Sequence, residues 1–176
     1  LKEDLIVNNN VFYTNSKKKN SENYLNFNDV KSVKRTILKA YKKFDYFDFV
    51  IFNSFISKKR REFSRFNLKA FQETLNVNIF SHILIMKLII KQKKKSKLIF
   101  ISTEAIKNSS WGLSQYTMAK SALEIFFKTL SNENKNLETK IIRLKKYNTP
   151  GYLRVNGNVK STKSTKIASK YILENF

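Results

Sequence analysis

The sequence has no cysteine, one proline, three glycines and a single histidine in 176 residues. Disulfides, thiolate zinc sites and cysteine nucleophiles are therefore excluded, and His82 alone cannot build a histidine-rich metal centre. Acidic side chains are scarce too: 13 Asp and Glu stand against 35 Lys and Arg, a formal charge of +22. The longest apolar run, residues 79–90, is broken by His82 and Lys87 and falls short of a bilayer span. A soluble chain without membrane contact is expected. No charged, apolar and small-residue signal pattern opens the chain, which starts at Leu1 rather than Met. The expected compartment is the cytoplasm, and the chain reads as a fragment whose beginning lies upstream.

What remains must act through hydroxyls, amines, carboxylates or a cofactor. Apolar residues make up 41% of the chain and aromatic residues 14%, enough to bury a sizeable core in a single domain over residues 1–176. The positive charge has a compositional source. Of the 35 basic residues 29 are Lys, Asn occurs 20 times, and Gly with Pro only four times. The basic runs at 17–19, 58–61 and 91–97 are dispersed, and none interleaves Arg with aromatics as a base-stacking surface would. Solvated surface is their expected role, with no nucleic-acid partner.

Short apolar runs without alternation at 11–13, 24–27, 47–52 and 98–101 read as buried strands, with 141–144 a further one. Helical patterns separate them. Asp29 precedes apolar positions Val33, Ile37, Leu38 and Tyr41, spaced for one helix face. Asn67 precedes a long helix carrying Phe71, Leu75, Ile79, Ile83 and Leu88. Ser114 opens a third, striped by Ala119, Ala122, Leu123, Phe126, Phe127 and Leu130, and 167–173 forms a last one. Alternating strands and helices predict an α/β fold, a doubly wound parallel sheet covered on both faces. Its carboxyl edge, after Asn53, Ser102-Thr103 and Leu144, is where such sheets bind ligands. Polar loops are expected at 15–23 and 154–165.

Tyr116 and Lys120 stand four apart on the predicted third helix and so project from one face, a turn apart. An ammonium beside a phenol stabilises the phenolate and lowers its pKa from about 10, which lets it transfer a proton near neutrality. The hydroxyls of Ser102 and Thr103 lie at a strand end fourteen and thirteen residues upstream. Small residues Ala119, Ser121 and Ala122 surround the Lys.

These residues together resemble the short-chain dehydrogenase/reductase family, from about Val11 to the chain end. The resemblance implies a Rossmann-like fold in which Tyr116 is the proton donor or acceptor. Lys120 would lower the pKa of Tyr116 and bind the nicotinamide ribose. Thr103, with Ser102 as the alternative, would polarise the substrate carbonyl. Asn78, in the stretch Leu75-Asn76-Val77-Asn78-Ile79, is similar to the family residue that holds a water linking the Lys to solvent. For the cofactor, Asn26 and Phe27 resemble the pair at the adenine ring. Asn53 ends a strand whose next positions, Ser54 and Phe55, stand where the family has Ala and Gly. A Phe there crowds a place where backbone passes close to cofactor. Pro150-Gly151 resembles a turn beside the nicotinamide.

No Gly-x-x-x-Gly-x-Gly loop occurs, and the glycines at 112, 151 and 157 cannot supply one to hold a pyrophosphate. The reading therefore expects a sheet incomplete at its N-terminus, with the first strand, glycine turn and most of the first helix upstream of Leu1, and a final strand missing after Phe176. If 11–14 is the second strand, then Asn15, Ser16, Lys17 and Lys18 meet the adenosine ribose, and bases there accept a 2′-phosphate. Lys17 thus points to NADP, with NAD the alternative. The expected function is an NAD(P)-dependent oxidoreductase acting on a small-molecule carbonyl or alcohol. Similar proteins pair through the helices carrying Asn78 and Tyr116, which implies a homo-oligomer. The alternative is a degenerate, non-catalytic scaffold of the same fold.

Overall fold

Asp29 starts the first helix by accepting a hydrogen bond from the Lys31 backbone N–H at 2.9 Å. The computed structural model describes residues 1, 5, 10–14, 22–65, 67–108, 110–157 and 163–175. Helix α1 spans Val30–Phe44 and buries Val33, Ile37 and Ala40, while Leu38 is exposed. Strand β1 is Phe49–Phe52, β2 is Ser96–Thr103 and β3 is Leu137–Leu144. All pairings are parallel in the order β1-β2-β3, with Phe52 opposite Phe100 and Thr103 opposite Leu144. Parallel neighbours need crossovers, and helices supply them.

The first crossover is α2, Leu68–Leu75, then a π-helical turn at Asn76–Phe80, then α3, Ser81–Ile90. The whole helix, Leu68–Ile90, has 23 residues and is long and apolar enough to cross a membrane by length and composition alone. In this fold it lies against the sheet, with Val77, His82, Ile85, Met86 and Ile89 buried. The second crossover is α4, Ser114–Glu133, and after β3 come α5, Pro150–Asn156, and α6, Thr165–Glu174.

Helices cover both faces of the sheet, as the alternation predicts. On one face Phe52, Leu98 and Phe100 pack with Val33, Met86, Leu123 and Phe127. On the other, Ile99, Ile101 and Ile142 pack with Ile172 of α6. Phe127 is fully buried, stacked on Phe100 at 5.0 Å and edge-on to Phe52 at 5.2 Å. Truncating such a ring costs about 3–5 kcal/mol.

Several expectations need correction. Residues 11–14 are irregular rather than a strand; they line a cavity of about 480 Å³ together with β1, and Phe12 packs edge-on against Phe44. Residues 24–27 hold a single bridge at Tyr24 followed by a turn. There the Asn26 side chain accepts from the Asn28 N–H at 3.1 Å, a local bond that competes with strand pairing. The strand expected from Phe47 starts at Phe49, because the Phe47 carbonyl accepts from the Ser96 hydroxyl instead. β3 is longer than expected, since Glu138 pairs across the ladder with Lys97 at 2.8 Å and supports a polar start that hydrophobicity does not mark. Ala122, placed on the α4 stripe, is exposed. Residues 15–21 and 158–162, within the two expected polar loops, and most of 1–9 lie outside the described residues.

Candidate active site

Two hydroxyl residues close β2, and α4 returns over them. The α4 start is fixed by contact with the loop after β1. Gly112 has φ +69°, and a Cβ there would stand 2.9 Å from the Arg61 backbone nitrogen, so both conformation and space require glycine. The Arg61 N–H donates to the Gly112 carbonyl at 3.2 Å, and the Arg60 guanidinium donates to the Trp111 carbonyl and to Asn156 of α5. The loop after β1, the turn before α4 and α5 are thereby tied together.

Tyr116 and Lys120 both face this rim. Burial raises the Tyr116 phenol above its ordinary pKa, and the neighbouring Thr103 side chain opposes that shift. Thr103 Oγ1 also accepts from the Ala105 N–H at 3.2 Å, capping the 3₁₀ turn Glu104–Ile106, so its O–H remains to donate. The expected lowering of Tyr116 by Lys120 is not what dominates here, because the amine is directed elsewhere.

Lys120 is 4% exposed, and its Nζ donates to the Ile101 carbonyl at 2.6 Å. The same Nζ lies 3.9 Å from the centroid of the Phe55 ring and 4.6 Å from that of Phe100. Burial lowers its pKa to about 7, with the carboxylate of Glu124 opposing the shift. Glu124 is itself buried and is held by Arg143 of β3, whose Nε donates to both carboxylate oxygens at 2.9 and 3.2 Å.

Ser102, the alternative hydroxyl, is buried and makes no hydrogen bond among the described residues. It follows Phe100 by two positions and so shares its sheet face. Asn78 is fully buried in the π-helical turn. Its Oδ1 accepts from the Ile56 N–H at 2.8 Å and its Nδ2 donates to the Ile56 carbonyl at 2.7 Å. The side chain thus grips the loop after β1, next to Phe55. His82 is buried between Phe27 and Phe52, with ring centroids at 5.9 and 5.6 Å. Burial, then Lys120, lowers its pKa to about 4 against opposing bonds from the backbones of Val77 and Ser54.

The cofactor candidates fall into two groups. Phe27, Asn53 and Ser54 line the cavity shared with residues 10–14, and Asn26 adjoins it, donating its N–H to Ser32. Pro150 and Gly151 form the first turn of α5 rather than a free turn, because Thr149 caps that helix by accepting from the Tyr152 N–H at 3.1 Å. Lys17, with Asn15, Ser16 and Lys18, lies outside the described residues. From residue type alone Phe55 reads as crowding the cofactor; its contacts with Tyr116 and Lys120 come only from the fold. Glu124 follows Lys120 by one helical turn without marking itself out, and its link to Arg143 on β3 has no local signal.

The sequence matches the family model for short chain dehydrogenase over residues 14–165. The chain belongs to the short-chain dehydrogenase family. Solved structures share the fold of this family member. A 3-ketoacyl-(acyl-carrier-protein) reductase from Brucella melitensis, complexed with NADH, aligns with TM-score 0.76 and 14% identity over 86% of this chain and 69% of its own. An alcohol dehydrogenase from the archaeon Thermococcus sibiricus, complexed with 5-hydroxy-NADP, gives 0.75 and 16% over 87% of this chain and 67% of its own. A short chain dehydrogenase from Salmonella enterica serovar Typhi gives 0.77 and 14% over 86% and 66%. The family member thus spans about two thirds of these structures. No curated protein matches it significantly in sequence.

Proposed function

We propose that this chain carries the proton-transfer site of an oxidoreductase that interconverts a small-molecule carbonyl and an alcohol with a nicotinamide dinucleotide. One observation carries the reading: Tyr116, whose phenol is influenced by the neighbouring Thr103 side chain at the end of β2, stands one turn of α4 from buried Lys120. The phenol is protonated at neutral pH and so can donate, and the hydroxyl beside it opposes the rise in pKa that burial causes and can also bond a substrate oxygen.

Phe27, Asn53 and Ser54 line one cavity beside β1 and would hold part of a dinucleotide there. When bound, the dinucleotide supplies or takes up hydride at the substrate carbon. In reduction Tyr116 gives its proton to the carbonyl oxygen, and in oxidation it takes the alcohol proton. Thr103, or Ser102 with its unpaired hydroxyl, bonds the substrate oxygen. Lys120 supplies positive charge beneath the site, and Asn78 holds the loop after β1 against it. The basic residues around Lys17 favour NADP over NAD, and tighter binding of NADH than of NADPH would reverse that assignment.

The test is Tyr116→Phe. Turnover with NADPH should fall by about 10²–10⁴-fold while dinucleotide binding is retained. A second reading, a non-catalytic relative, is favoured by Phe55, whose ring covers Lys120. It predicts that neither NADPH nor NADH binds.

A further inference from the structure

An ammonium carries three donors, and a buried one is costly unless they are met. Among the described residues Lys120 Nζ has one hydrogen bond, to the Ile101 carbonyl, and otherwise faces the rings of Phe55 and Phe100. Phe100 is a fully buried residue in the middle of the sheet and cannot leave. Phe55 differs. It is half-buried, sits on the loop after β1, and its ring also meets the Tyr116 ring edge-on at 5.2 Å. One ring therefore touches both members of the proton-transfer pair.

The backbone beside Phe55 is held by hydrogen bonds, whereas its half-buried side chain only packs against the margin of the core. Asn78 pairs with both backbone groups of Ile56, fixing the path of the loop. A change of side-chain rotamer at Phe55 would uncover the amine without moving that backbone.

We propose that Phe55 is a displaceable aromatic cap on Lys120, a positioning residue that a ligand offering hydroxyl oxygens must swing aside to reach the amine. The cap holds the ammonium by its ring face when no hydroxyls are present, and hydroxyl oxygens offer the unmet donors better partners. The part played by the hydroxyl ligand rests on the function proposed above. The cap itself is read directly from Lys120.

The experiment measures acylation of each lysine by acetic anhydride at pH 9, resolved by peptide mass spectrometry, in the wild type, Phe55→Ala and Phe55→Leu. Lys128, exposed on the same helix, is the internal reference. Lys120 should react far more slowly than Lys128 in the wild type. Phe55→Ala should raise its relative rate by about tenfold, because the nitrogen is unprotonated at pH 9 and the ring that covers it is gone. Phe55→Leu, which keeps bulk and preserves packing, should give a smaller rise. Lys120 as protected in both variants as in the wild type, or as reactive as Lys128 in the wild type, would overturn the cap.

A parallel titration with NADPH separates the two claims. Binding at least about fivefold tighter in Phe55→Ala supports the cap as a barrier to the hydroxyl ligand. Equal or weaker binding in that variant overturns the barrier, while the function proposed above survives on wild-type binding. No NADPH binding by any form, with Lys120 uncovered in Phe55→Ala, supports the cap and removes the dinucleotide reading.

Discussion

The side-chain amide of Asn78 pairs with both backbone groups of Ile56, at 2.8 and 2.7 Å, joining the π-helical turn to the loop after β1. Two functions of the fold meet in that contact, helix geometry and placement of the loop over Tyr116 and Lys120. Asn78→Leu removes both bonds and leaves the Ile56 groups unpaired, at a cost of about 2–3 kcal/mol. Asn78→Asp turns one donor into a second acceptor facing the Ile56 carbonyl and should be at least as damaging. Urea denaturation checks the order; a loss below about 0.5 kcal/mol for both would show that the contact is incidental.

His82 predicts an acid-sensitive fold. Its pKa is about 4 in the folded chain against an ordinary 6.5, so below pH 6.5 the unfolded chain binds a proton that the folded one refuses. Stability from this residue is full above about pH 6.5 and declines as pH falls toward 4, by up to about 3 kcal/mol. His82→Gln should flatten that limb of a stability–pH curve. An unchanged slope would place the acid sensitivity elsewhere.

The two hydroxyls at the end of β2 should separate. Thr103→Val removes the partner of Tyr116 and should lower turnover by about 10²-fold, whereas Thr103→Ser should keep most of it. Because the Thr103 side chain lowers the Tyr116 pKa, its loss moves the alkaline limb of the reduction rate to higher pH. Ser102→Ala should leave that limb in place. If Ser102→Ala shifts it and Thr103→Val does not, the roles are exchanged.

Glu124 and Arg143 tie α4 to β3 beneath Lys120. Glu124→Gln removes the charge that keeps the Lys120 pKa from falling further and leaves Arg143 half-paired. A stability loss of about 1–3 kcal/mol is expected, below that of a fully buried pair because Arg143 is partly exposed. Denaturation of Glu124→Gln, Arg143→Met and the double variant gives the coupling; additive losses would show that the two side chains act independently.

Much of this arrangement was legible in the sequence because it is local. Asp29 and Asn67 cap their helices with their own side chains, so the starts could be read from residue type. Ser114 opens α4 with the Tyr116 and Lys120 spacing intact. The strand at 98–101 is buried in the middle of the parallel sheet, where apolar runs need no alternation, and 141–144 is the apolar end of β3, with Ile142 buried.

What could not be read depends on distant parts of the chain. Residues 11–14 have the composition of a strand, yet pairing is decided by what lies beside them, and in this fold they border a cavity. The π-helical turn follows from a contact between Asn78 and Ile56, 22 positions away, that no helical period encodes. Which hydroxyl meets Tyr116 depends on how the end of β2 turns into the 3₁₀ segment. Phe55 was visible as an unexpected residue, but its contact with Lys120 across 65 positions emerges only when the loop is folded over α4.

The most direct test measures NADPH consumption with a panel of small ketones and aldehydes by the wild type and Tyr116→Phe, with NADPH binding followed in parallel. The account predicts turnover by the wild type, loss of about 10²-fold or more in the variant, and similar dinucleotide affinity in both. A Tyr116→Phe protein that turns over as fast as the wild type would contradict it.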